Sequence, residues 1–284
     1  MSSDLVNLVN RAIELPTVPE VLVKINGVIN DPDCSADDVG QVISKDPAVS
    51  TNILRIVNSA YHGLHVRVSS VTLAVSVMGF EMTKKVALKA AVFSVFATKS
   101  KALENFDPLG FWKHSIFTGV AARTLGENSS RFADYDPEDL YICGLLHDIG
   151  KIILMEKANS DYLPILKQAA AEKRSEIELE TELLGYNHAE LGSVLAIKWF
   201  LSEDLTTAIR YHHTPSQDPY HQDLSSLIHI ADHLAWTSGN PSTVGTPMPQ
   251  MENEIYDHLG LDPQQVEDLL PQIHEDYAAM GLPW

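Results

Sequence analysis

The chain has 284 residues, 45% hydrophobic and 20% charged, enough for a large core in one extended domain or two smaller ones, and unlike a disordered or fibrous sequence. Lys plus Arg number 20 against 38 Asp plus Glu, a formal net charge of −18. This balance excludes nucleic acid and anionic membrane surfaces as expected partners, because both are themselves strongly negative.

Helical periodicity runs through nearly the whole chain. Leu5, Val6, Leu8, Val9 and Ile13 mark a first helix, and Pro16 and Pro19 bracket a turn. Val21, Leu22, Ile25, Val28 and Ile29 form the next apolar stripe, ended by NDPDCS. Ser35 is placed to cap a third helix with Asp37 and Asp38 in its first turn, and Asp46-Pro47 to start a fourth. A helix over 71–78 is expected to stop at Gly79, with another from Glu81 to about Thr98. Residues 101–110 read as a connection, and Asp107-Pro108 opens a helix rich in aromatics. Helices then follow one another to about Ser238. The Gly-, Pro- and Ser-rich stretch SGNPSTVGTPMPQMEN reads as a loop, followed by a helix from Asp262-Pro263 to near Pro271 and a short C-terminal one. No run alternates like a strand, so the fold class is all-α. The domain reading is 1–105 as an N-terminal helical part, 106–240 as a helical core, and 241–284 as loop and short helices.

Lys84, Lys85 and Lys89, with Lys99 and Lys101, are the nearest approach to a basic patch, and the first three read as a solvated helix face. Cys34 and Cys143 do not form a secreted disulfide framework, and the N-terminus lacks the basic and long apolar regions of a signal peptide. A cytoplasmic protein is expected.

The chemistry lies in the second part. LLHDIGK sets His147 and Asp148 side by side at the end of an apolar helix, with Gly150 free to redirect the backbone and Lys151 near enough to neutralise an anion. Imidazole and carboxylate together suit borderline divalent cations: Fe, Mn, Zn or Ni. His114 stands among small residues (Thr118, Gly119, Ala121, Ala122) that permit close helix approach. Asp232 sits in an apolar run where an unpaired carboxylate is costly, so it needs a metal or a cation such as Arg210 or Arg123. His188 begins a helix, and His212 and His213 end one. His221, His229, His233, His258 and His274 read as surface or packing residues. Each element alone is equally compatible with a hydrogen-bonded structural role; the ordered set points to one shared site.

The order His114, His147-Asp148, Asp232 resembles the HD superfamily of metal-dependent phosphohydrolases. ISKDPAVS, RIVNSAYHG, VTLAVSVMGF, LLHDIGK and NHAELGSVLAIKW…AIRYHHTP together resemble HDOD domains, the HD-related output domains of bacterial signalling proteins, over about residues 12–236. The resemblance implies an HD-type helical bundle. It makes His114, His147, Asp148 and Asp232 metal ligands, and matches His188, His212 and His213 in order to the additional histidines of HD-GYP phosphodiesterases. The glycine-tyrosine-proline signature is missing, since TPSQDPYHQ follows His213, which argues against cyclic di-GMP hydrolysis. The expected function is signalling or regulation through a protein partner, with a retained metal site. The alternative is a metal-dependent phosphohydrolase acting on a phosphomonoester or nucleotide phosphodiester. In that alternative Asp148 would orient a water, His188 or His212 would bind phosphate or protonate the leaving oxygen, and Lys151 would offset charge on phosphorus.

Overall fold

The computed structural model describes residues 15, 19–60, 68–96 and 106–280. The expected helix at Leu5–Ile13, the connection at 101–105, and Lys99 and Lys101 lie outside them. Among the described residues every regular element is helical. The described residues divide into two compact units, one formed within residues 19–96, the other by residue 15 and residues 106–280.

In the smaller unit, α1 (Glu20–Ile29) buries Val21, Leu22 and Ile25 as one stripe. α2 (Ala36–Ser44) begins at Ser35 with a complete capping box, its side chain accepting from the Asp38 N–H. α3 (Pro47–Ala60) starts where Asp46 Oδ1 accepts the Val49 N–H at 3.0 Å. Asn58, inside the RIVNSAYHG phrase, pairs with both backbone groups of Val68, at 2.9 Å each. α4 (Val71–Phe96) is broken at Gly79, whose φ of 77° and ψ of 171° leave the helix at the predicted residue. The three lysines do not form one solvated face. Lys84 pairs with Glu81 at 2.8 Å, whereas Lys89 is buried, because the run VALKAAVF turns that position inward with Val86 and Ala90.

In the larger unit, Asp-Pro pairs start two long-range partners. Asp107 caps α5 (Pro108–Glu127) and Asp136 caps α6 (Pro137–Leu146), each with proline at the first helical position. These helices cross at two glycines. A Cβ on Gly119 would lie 2.8 Å from the Tyr141 carbonyl oxygen, and one on Gly144 would lie 2.7 Å from Gly119 Cα. α7 (Ile149–Lys157), α8 (Asn159–Glu172) and α9 (Glu176–Leu184) follow, then α10 (His188–Lys198), α11 (Glu203–Tyr211) and α12 (Gln222–Thr237). α12 packs on α5, and α10 packs on α7. Residues 238–252 carry no helix, as their composition predicts.

Two C-terminal boundaries differ from expectation. A short helix, α13 (Glu254–Leu259), precedes Gly260, and α14 (Pro263–Asp268) stops before Pro271. Pro271 lies in the first turn of α15 (Leu270–Met280), where a missing N–H costs nothing, so it belongs to a helix start and not a stop. The ring of Phe117 on α5 packs against His274 and Tyr277 of α15. Cys34 and Cys143 are both free thiols. No helix among the described residues is long and apolar enough to cross a membrane.

Candidate metal centre

The seven residues singled out as ligands come together inside the larger unit. His147 ends α6 and Asp148 begins α7, so the HD pair sits at a helix junction. α5 brings His114, α12 brings Asp232, the first residue of α10 is His188, and His212 and His213 follow α11. His114, His147, Asp148, His188, His212 and Asp232 are all buried; His213 is partly exposed.

The side chains form two groups that share Asp148. In the first, His114 Nε2 lies 3.1 Å from Asp232 Oδ1 and 3.8 Å from Asp148 Oδ2, with His147 Nε2 3.6 Å from the same Asp148 oxygen. In the second, the other oxygen, Oδ1, faces His188 Nε2 at 3.2 Å and His212 Nε2 at 3.5 Å. His213 Nε2 is 3.0 Å from His188 Nε2. Asp232 thus meets two imidazoles, and not the Arg210 or Arg123 offered as alternatives.

The tautomers give these distances their meaning. The Nδ1–H of His114 donates to the Asn240 carbonyl at 2.7 Å, that of His147 to Gly144 at 2.7 Å, and that of His212 to Ile209 at 2.7 Å. His188 Nδ1 donates to Glu180 Oε2 at 2.7 Å. A carbonyl or carboxylate can only accept, so in each neutral imidazole Nε2 is the lone pair. His114 and His147 therefore aim two lone pairs at each other across 3.3 Å, beside two carboxylates. Asp148 Oδ1, Asp232 Oδ1 and His212 Nε2 are buried without a hydrogen-bond partner. Such convergence is stable only around a cation, a proton or a metal. The donor set fits a divalent metal: His114, His147, His188 and His212 each have Nδ1 held by a carbonyl or carboxylate, as is usual for metal-bound histidines, whereas His213 Nδ1 has no hydrogen-bond partner.

The same crowding sets the protonation. Burial opposes a charge on Asp148, yet Lys151 and His147 hold its carboxyl well below the usual range. Asp232 is likewise depressed against its burial by His114 and His147. Burial also opposes charge on His188, but the Glu180 and Asp148 carboxylates together outweigh it and raise the ring to about 9. His212, mainly through burial, falls to about 4.

Lys151 is more enclosed than an anion-neutralising side chain would be. Its ammonium reaches Asp148 Oδ2 at 2.8 Å, Glu176 Oε2 at 3.1 Å and Ser242 Oγ at 2.8 Å, which accounts for all three of its protons. Gly150 also acts differently from the expected turn. It lies within α7, where a Cβ would sit 1.9 Å from the His188 carbonyl oxygen. Its role is to let α7 and α10 approach, which brings Asp148 to His188.

Four supporting residues were not singled out from the sequence. Glu180 orients His188, Glu176 pairs with Lys151, and Ser242 and Asn240 reach in from the 238–252 loop. His229, read as a packing residue, is buried. Its Nε2 accepts the Glu252 N–H at 3.0 Å, so Nδ1–H donates to the His212 carbonyl at 2.6 Å. The signal for His229 and Glu180 was only a polar residue on an apolar helix face. His221 and His258 pair near the surface with Asp204 and Asp223.

Residues 15–215 match the model of the HDOD domain. The chain belongs to the HDOD family. An uncharacterized protein of Treponema pallidum (strain Nichols) is 29% identical over 228 residues, 80% of this chain and 43% of that protein, so the chain spans less than half of that curated relative. The fold is shared with an HDOD domain protein from Geobacter sulfurreducens, at 24% identity and a TM-score of 0.77, covering 99% of this chain and 98% of that one. It is also shared with a candidate signal transduction protein from Marinobacter aquaeolei VT8, at 20% identity and a TM-score of 0.75, covering 98% and 63%. A candidate metal-dependent phosphohydrolase from Shewanella amazonensis SB2B gives 22% identity and a TM-score of 0.64 over 97% and 95%. At these identities the likeness is one of fold, and the HDOD architecture therefore hosts proteins described in more than one functional class.

Proposed function

We propose that this HDOD protein is a regulatory module that binds divalent metal at the His114–His213 centre and acts through contact with a protein partner. The observation that carries the metal reading is the facing pair of Nε2 lone pairs on His114 and His147, 3.3 Å apart beside Asp148 and Asp232. The enclosure of six of the seven ligands favours a tie between helices over an open catalytic ion, since catalytic sites keep a position free for substrate. His114, His147, Asp148 and Asp232 would hold one ion, and Asp148, His188, His212 and His213 a second.

The hydrolase reading has its own support. Asp148 offers its two oxygens to two separate groups of histidines, the layout of a two-metal phosphoesterase. A bound divalent ion supplies hydroxide near neutral pH. The chain's own contribution would rest on His213, the partly exposed histidine of the set, because Lys151 has already committed its protons. The two readings separate on p-nitrophenyl phosphate and bis-p-nitrophenyl phosphate. The regulatory reading expects metal to raise the melting temperature without turnover. Turnover abolished by chelation and by His213→Ala would replace it with the hydrolase.

A surface on α10 and α11 supports the interaction half of the proposal. A groove of about 490 Å³ is lined by Ile197, Phe200, Arg210, Tyr211 and Tyr220 among others. Phe200 is 85% exposed and Tyr220 75%. Phe200 also has a φ of 56°, in the helix-ending turn where its N–H reaches Ile197 and that of Leu201 reaches Ala196. Glycine suits that position, and a bulky side chain there costs roughly 1–2 kcal/mol. An aromatic ring kept in solvent at a strained position supports the reading of this surface as a partner contact. Phe200→Gly is expected to stabilise the isolated protein by about 1 kcal/mol, read as a higher denaturant midpoint, since the exposed ring gives up little burial. A loss of stability would mean that the ring serves the fold.

A further inference from the structure

The two halves of the centre differ in charge, and one carboxylate outside the ligand set makes up the difference. The first group has Asp232 and one oxygen of Asp148 beside its imidazoles. The second has His188, His212 and His213, with only the other oxygen of the shared Asp148. Glu180 is completely buried one step behind this second group. A single oxygen, Oε2, accepts both the backbone N–H of His188 and its Nδ1–H, at 2.7 Å each. That double contact fixes the first turn of α10 and the ring together, with Nε2 facing Asp148 Oδ1 at 3.2 Å.

Charge decides how many ions this cavity tolerates. The buried carboxylates at and next to the centre are Asp148, Asp232, Glu176 and Glu180, and Lys151 offsets one of them. With neutral histidines the cluster carries three net negative charges, so one divalent ion leaves it slightly negative and two leave it slightly positive. Without Glu180, one ion already neutralises it, and a second would leave two positive charges buried without compensation, an arrangement low-dielectric surroundings penalise heavily.

We infer that Glu180 is the positioning residue that decides whether the centre holds two metal ions or one, by orienting His188 and supplying the negative charge that the second group lacks. The inference rests on the metal reading above. It concerns Glu180 alone, which donates nothing directly to an ion.

The test is Mn²⁺ titration of the full chain by calorimetry, beside elemental analysis after dialysis, for wild type, Glu180→Gln and Glu180→Asp. Co²⁺ absorption adds a signature of the ligand environment. The wild type is expected to show two binding events. Glu180→Gln keeps an acceptor for Nδ1–H but removes the charge, and is expected to weaken only the second event, by about 10–100-fold. The first event stays unchanged, and the metal-free protein still melts cooperatively, at a lower temperature because a buried pair is broken from one side. Glu180→Asp, which keeps the charge, is expected to lie between the two, and it carries the test if Glu180→Gln does not fold. Two unchanged events in both variants, or equal loss of both events in folded protein, would overturn the role of Glu180. A wild type that binds no ion is a different result and would remove the metal reading itself.

Discussion

Asp148→Asn is expected to empty the whole centre, and not one half of it. Asp148 is the one side chain whose two oxygens face both groups: His114 and His147 from Oδ2, His188 and His212 from Oδ1. The amide keeps the shape but replaces one oxygen by a donor and removes the charge, so neither group retains the carboxylate it shares. Both metal affinities should fall by more than about 100-fold, beyond the effect ordinary for an outer-sphere partner. The variant should also lose stability without metal. Lys151 then faces Glu176 and an amide, and breaking a buried ion pair from one side costs about 3–5 kcal/mol. Calorimetric titration and urea unfolding measure the two effects. If one ion still bound with wild-type affinity, Asp148 would not be shared.

The second large effect is expected from a methyl group. Gly150→Ala would place Cβ 1.9 Å from the His188 carbonyl oxygen, 2.7 Å from its carbonyl carbon and 3.0 Å from Gly192 N. All three are backbone atoms, so no rotamer change can relieve the clash, and α7 must move from α10. That motion separates Asp148 from His188, the 3.2 Å contact at the heart of the second group. Overpacking of this kind costs about 3 kcal/mol, which in a domain of this size lowers Tm by roughly 6–12 °C. The variant should lose the second metal event before the first. A wild-type Tm would show that the helices have slack at this crossing.

These two predictions rest on different kinds of legibility. The ligand set could be read from the sequence because histidine and aspartate are conspicuous in apolar helices: Asp232 in LSSLIHIADHLAW and the HD pair in LLHDIGK announce a buried polar site. Helix starts were equally legible, since Asp46, Asp107 and Asp262 precede prolines and each start is local chemistry. The roles of Gly150 and Lys151 were not, because both depend on what another helix brings. Gly150 reads locally as a turn residue, and only α10 makes it a point of close approach. Lys151 reads as a charge for substrate, and only Glu176 and Ser242, 25 and 91 residues away, take up its protons. Glu180 and His229 were overlooked for the same reason: a residue behind a ligand has no motif of its own. Pro271 was misread because a proline two residues into a helix and one just past a helix have the same local appearance.

Charge patterning behaved similarly. The −18 total does not say where the charges lie, and Asp148, Glu176, Glu180 and Asp232 are buried around the centre inside the larger unit. The exposed Phe200 could not be found by composition either, because its oddity is a backbone angle.

The most direct test of the account is the metal content of the untagged full chain, measured by elemental analysis after reconstitution with Fe²⁺, Mn²⁺, Zn²⁺ or Ni²⁺ and dialysis, beside Asp148→Asn treated in the same way. The account predicts two ions per wild-type chain and none retained by the variant. No ion on the wild type under any of these conditions would contradict it, and the facing lone pairs of His114 and His147 would then have to be held by a proton.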